Sequence, residues 1–260
     1  MNLPRFLPLN PYYRASLVLV IAAIILAGIA VLTNRYDLTS AALVLAALTC
    51  LITGIFLSLL STSEPLDARY VSLLPVQGCI NLCRVAADLG IQGNAQMIPA
   101  GIKGMNTTMQ FIPVADYDGS PLSPDTFVDG TTTAGLLVPP SGYPLLQEMK
   151  GATRLVIPRD EPALHELLRE VMTDVLGVAE RGTVSRDGPT VTVTLEGFRL
   201  ISGCEAMNAE SPACCTMNPC PACSVMACIL AEGTGVVVRA ERCSPDREKK
   251  TVTAIFSLME

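Results

Sequence analysis

Ten of the 260 residues are cysteine, and seven of them fall in the last quarter of the chain: Cys204, Cys214, Cys215, Cys220, Cys223, Cys228 and Cys243. The densest stretch reads C-C-T-M-N-P-C-P-A-C-S-V-M-A-C. A C-x-x-C turn, here Cys220 and Cys223, can offer two thiolates to one metal. Four sulfurs converging at about 2.3 Å complete a structural zinc site, and sets of four cysteines also hold iron–sulfur clusters. The spacing therefore predicts a zinc or iron–sulfur centre on Cys215, Cys220, Cys223 and Cys228. Cys204, Cys214 and Cys243 are further candidates, as are Cys79 and Cys83, which lie at i and i+4 on one helical face. Two other chemistries compete. Cys220, just before an expected helix, could be the nucleophile of a thiol–disulfide oxidoreductase with Cys223 as its resolving thiol. The cysteines could also be structural, packing as small apolar side chains or, outside the cell, pairing as disulfides.

Other chemistry is scarce. The single histidine, His165, excludes a zinc site built on three histidines or on two cysteines and two histidines, and its place on a charged helical stripe reads as surface. No phosphate-binding G-x-x-x-x-G-K-[ST] and no G-x-G-x-x-G occurs. The net charge of −6, without tryptophan and with 5% aromatics, argues against a nucleic-acid binder. No catalytic residue is assigned apart from the alternative pair Cys220 and Cys223.

The elements that must position these thiols begin with a membrane anchor. Half of the chain is hydrophobic, only 16% is charged and the mean hydropathy is +0.44, against about 25% charged residues in ordinary soluble domains. The excess lies in two uncharged runs, 15–33 and 41–60. At 1.5 Å per residue each is about 30 Å long, the thickness of a hydrocarbon core. They read as a transmembrane hairpin in residues 1–61, joined through 34–40, with small faces at Ala23, Ala27, Ala30, Ala42 and Ala46 for helix contact. Arg5, Arg14 and Arg69 against Arg35 alone place both termini in the cytoplasm. No ionisable side chain interrupts either run, so the hairpin reads as an anchor rather than a transport path.

Residues 62–70 read as a linker, and 71–260 as a cytoplasmic α+β domain with a Cys-rich segment at 204–243. Helices are expected at 75–90, 143–149, 161–180 and 222–232. Strands are expected at 95–98, 109–114, 135–138, 153–157, 190–196, 236–243 and 251–258, with 204–221 as a turn-rich insert. Four strands end in two apolar residues and a proline, as at Met97-Ile98-Pro99, where proline stops a ladder. The segments 79–114 and 223–258 share a helix–strand–strand order, two α-β-β units that could pair around one sheet.

The order LGIQGNAQMIPA, MQFIPVADYD and GLLVPPSGYPLL, followed by the helix, the TVTV strand and the last helix–strand–strand, resembles a family of uncharacterised two-span membrane proteins of haloarchaea and methanogens. The resemblance covers nearly the whole chain and implies no catalytic residue. The tail from Cys223 to Leu258 is also similar to vinyl-reductase-type small-ligand-binding domains, with Cys243 at their strand-end cysteine. Together these readings predict a membrane-anchored, non-catalytic binding or accessory protein, with the lipid bilayer as its first partner. The other alternative is a scaffold subunit whose hairpin docks to membrane-protein partners or to a second copy.

Overall fold

The computed structural model describes residues 11–33, 38–61, 67–102, 104–115, 117, 120–130, 133–152 and 154–259. Arg5, the connector with Arg35 and Tyr36, and most of the linker lie outside the described residues. The chain divides into two compact units, Met1–Leu66 and Asp67–Glu260.

The first unit is a pair of helices, α1 (Pro11–Thr33) and α2 (Leu38–Ser61). Within them Ala15–Leu32 and Thr39–Leu59 are long and apolar enough to cross a membrane. Their exposed side chains include large apolar ones such as Ile24, Val31, Leu45 and Phe56, while Ser16, Ala23, Ala47 and Gly54 are buried where the helices meet. Ser16 Oγ donates to the Gly54 carbonyl at 2.7 Å, and a Cβ on Gly54 would lie 3.0 Å from Val20. Of the five alanines expected at the seam, Ala23 is buried, whereas Ala27, Ala42 and Ala46 are exposed; Ala47 completes the contact instead.

The second unit is an eight-stranded antiparallel sheet with helices. Its elements are α3 (Ala68–Leu73), α4 (Val76–Asp88), β1 (Gln96–Ile98), β2 (Met109–Pro113), β3 (Phe127–Val128), β4 (Gly135–Val138), α5 (Tyr143–Ala152) and α6 (Glu161–Glu170). A single π turn (Val171–Val175) follows, then β5 (Arg181–Asp187), β6 (Thr190–Glu196), α7 (Ile201–Glu210), α8 (Pro212–Met217), α9 (Pro221–Thr234), β7 (Val237–Asp246) and β8 (Thr251–Met259). The strand order is β3-β4-β2-β1-β7-β8-β6-β5. The two helix–strand–strand units therefore meet at the β1–β7 pair, where Gln96 opposes Arg239 and Met97 opposes Val238. One sheet face is sealed by α5, α6 and α9 over Met97, Val191, Val193 and Phe256. The other is capped near β1 and β2 by the segment after Pro99, with Tyr117 edge-on to Phe111 at 4.9 Å. The apolar stretch Pro212–Thr234, long enough to span a bilayer, is 78% buried within this domain.

Several expectations are corrected. Residues 154–157 form no strand, and Arg154 begins the segment in a left-handed conformation, φ 54°. The linker ends early, because Asp67 caps α3 by accepting from the Arg69 amide at 2.9 Å. The helix expected over 161–180 holds its cap, Asp160 accepting from the Ala163 amide at 3.2 Å, but widens into the π turn. That turn carries Val175 out to solvent and sends Met172 into the core. Residues 176–180 leave the helix as a connection to β5, a mostly polar edge strand that alternation does not reveal. The insert expected over 204–221 is not a turn region: it is α7 and α8. Ser211 caps α8 by accepting from the Ala213 amide at 3.2 Å, with Pro212 in the first turn, a standard helix start.

Candidate thiol centre

Four elements bring five cysteines together: Cys204 from α7, Cys215 from α8, Cys220 and Cys223 from the start of α9, and Cys243 from β7. Cys220 is the N-cap of α9 and Pro221 its first residue, so the C-x-x-C occupies the first turn. That turn is held from outside. The Gly142 amide donates to Ser224 Oγ at 3.0 Å and Ser141 Oγ donates to the Pro219 carbonyl at 2.6 Å. Cys243 reaches the site through a β-bulge. Ala240 pairs with Phe256 and Arg242 with Ile255, leaving Glu241 as the extra residue. A bulge shifts alternation by one, so Cys243, opposite the buried Ala254, points to the helix-covered face with Val238 and Ala240.

The sulfurs form a ring. Cys204 and Cys223 each interact with both Cys220 and Cys243, and Cys215 interacts with Cys243. Cys223 Sγ and Cys243 Sγ are 3.7 Å apart. Cys220 is pushed below the usual thiol range by hydrogen bonds from Cys204 and then Cys223. Cys243 is pushed down by hydrogen bonds from Cys204, Cys215 and Cys223. The donors move the other way. Cys204 and Cys223 are raised chiefly by donating to Cys220, and Cys215 by donating to Cys243. Cys220 and Cys243, the two thiols pushed down, are the half-buried members, while Cys204, Cys215 and Cys223 are at most 4% exposed. Val76, Ile80 and Met207 wall the site. Among the described residues, no group of three or more His, Cys, Asp or Glu side chains stands as a formed metal site.

The set differs from the one read off the spacing. Cys215, Cys220 and Cys223 come together, but Cys228 does not. It faces α5, beside Ser224 and near Glu232 and Lys150, and burial raises it to about 12. Cys204 and Cys243 take the places around the C-x-x-C. Cys79 shares an apolar cluster with Cys215 and is raised to about 11, mainly by burial and then by the neighbouring Cys220. Cys83 and Cys214 pair separately, Cys83 Sγ donating to the Cys214 carbonyl at 3.6 Å. Cys50 stays in α2. His165 is not on an open face: it is half-buried in a cleft of about 230 Å³ with Arg159, Glu161 and Arg186, the last two paired at 2.9 Å.

Fold and site together define a class: an α+β domain with a buried thiol ring, carried behind two long apolar helices. The chain belongs to the family described as Domain of unknown function (DUF7982), which it matches over residues 10–256. No curated protein and no solved structure matches it.

Proposed function

We propose that this chain is a membrane-anchored, non-catalytic accessory protein whose cytoplasmic domain holds a soft metal, zinc or an iron–sulfur cluster, on Cys204, Cys220, Cys223 and Cys243. The closed ring of these four thiols carries the reading. The edge of an S4 tetrahedron with 2.3 Å bonds is about 3.8 Å, close to the 3.7 Å between Cys223 and Cys243. Binding draws the other sulfurs inward and releases their protons. Thiolates in a largely buried pocket are costly unless compensated, and a soft cation supplies the compensation. The half-buried pair, Cys220 and Cys243, is the entry path. Cys215, beside Cys243, is a fifth donor of the kind that orients a ligand. The hairpin with both termini cytoplasmic keeps the thiols reduced and free for metal. The resemblance to archaeal two-span proteins agrees with the anchor, and that of the tail to small-ligand domains agrees with a binding role.

The test is metal analysis and a visible spectrum of the full chain purified anaerobically. About one zinc per chain, or iron with charge-transfer absorption, supports the centre. Less than about 0.2 equivalents of either overturns it. The second reading, a Cys220–Cys223 dithiol, is favoured by the lowered Cys220 thiol at a helix N-terminus. It requires Cys220 to alkylate well ahead of every other cysteine near pH 6, and equal rates refute it.

A further inference from the structure

Helix α3 is packed with its polarity reversed. The residue it buries is Ser72, 5% exposed, set against α7 so closely that a Cβ on Gly203 would come within 2.2 Å of the Ser72 carbonyl oxygen. The large side chains face away: Tyr70 is 68% exposed, Leu73 44% and Leu74 76%. Spacings of i, i+3 and i+4 put the three on one face. A domain surface ordinarily buries such a face and shows its serine to water.

The position of α3 in the chain supplies the occupant. Only six residue steps separate Ser61, the end of α2, from Asp67, the cap of α3. That tether reaches about 20 Å at most. A helix so tied to the end of a span is held beside lipid at high effective concentration. Its exposed residues are an aromatic ring, two leucines and the neighbouring Arg69, a set suited to the membrane–water boundary. We infer that Tyr70, Leu73 and Leu74 form a docking face that seats in the headgroup–acyl boundary of the bilayer. The inference rests on the reading that α2 spans the membrane. It places α7, which carries Cys204, directly behind the docked face.

The chain has no tryptophan, so a single introduced one is the sole reporter. Tyr70→Trp, Leu74→Trp, Phe56→Trp in α2 and Val156→Trp on the domain surface are each reconstituted as full chain. The vesicles are phosphatidylcholine with or without bromine high on the acyl chains. Val156 is 80% exposed and Phe56 65%, so none of these substitutions disturbs a core. Tyr70→Trp and Leu74→Trp are expected to lose fluorescence in brominated lipid by a factor of about 1.5 or more, as side chains set about 5–10 Å into the boundary do. Both should resist aqueous acrylamide, while Val156→Trp responds only to acrylamide. Quenching of Phe56→Trp by bromine, with Tyr70→Trp and Leu74→Trp open to acrylamide, overturns the docking face and leaves the span intact. Shielding of those two from both quenchers means a protein covers the face, and also overturns it. An unquenched Phe56→Trp removes the spanning helix itself.

Discussion

Replacing Gly142 with alanine tests how the thiol ring is held. Gly142 lies at the head of α5, against the first turn of α9. A Cβ there would come within 2.4 Å of the Val225 amide nitrogen and 2.6 Å of the Pro221 carbonyl oxygen. Ordinary Cβ contacts begin near 3.4 Å, so α9 must retreat by about 1 Å. Both offending atoms are backbone, which moves only with the helix, and Cys223 lies between them. Overpacking a core costs about 1–3 kcal/mol. The upper end applies here, because the Gly142 amide also loses its 3.0 Å bond to Ser224. For a domain of this size, ~3 kcal/mol lowers Tm by about 6–12 °C. The effect on metal is larger, since ligand distances tolerate only about 0.2 Å. The assay is far-UV circular dichroism melting with metal analysis of the same sample. Gly233→Ala is the control: at the other end of α9 its Cβ would meet Leu164 at 2.5 Å, so stability falls but metal stays. A Gly142→Ala chain that melts within about 2 °C of the parent and keeps full metal refutes the account of how the ring is positioned.

Further outcomes follow from the ring and its surroundings. Cys228→Ser is expected to leave metal content unchanged and Cys204→Ser or Cys243→Ser to abolish it; metal analysis of the three decides between the spatial set and the sequential one. Deleting Glu241 removes the bulge yet leaves Cys243 two residues after Ala240, still opposite Ala254 on the helix-covered face, so metal is retained; loss of metal with the sheet intact by circular dichroism contradicts this register. Burial raises Cys79 to about 11 and Cys228 to about 12, so both stay protonated in the folded chain where the unfolded chain ionises near 9.0. Their contribution is full below that pH and is lost as pH rises through the folded values, at up to about 1.4 kcal/mol per pH unit for each thiol. Melting temperatures of the parent are expected to fall more steeply above about pH 9 than those of the Cys79→Ala, Cys228→Ala double variant, and parallel slopes contradict this.

Much of the scaffold was legible because its signals are local. Two long uncharged runs identify the apolar helices whatever surrounds them, and the apolar-apolar-proline endings mark β1, β2 and β4 within a residue. The site was legible in its residue type and only partly in its membership. Cys228 fails for a reason present in the sequence: five residues turn a helix by about 500°, leaving Cys228 about 140° away from Cys223. Cys243 is different. Simple alternation from Val238 and Ala240 points Arg242 inward and Cys243 out. The bulge at Glu241 that reverses this is set by pairing with β8, which no local pattern displays. Cys204 was obscured because a segment dense in Cys, Pro and Asn reads as turns. Burial against α4 and β7 folds it as helices instead.

The β1–β7 seam also sets a timetable. Gln96 and Arg239 are neighbours in the sheet, yet the ribosome delivers them far apart. At about 5–20 residues per second, β1 waits roughly 7–30 s for its partner. Through that interval a finished β4-β2-β1 sheet shows an unpaired, largely apolar edge, the kind of template that recruits other chains. The segment that finally covers it also brings Cys243. Completion of the thiol ring and closure of the sheet are therefore one event, and a nascent chain that stalls before residue 237 has neither.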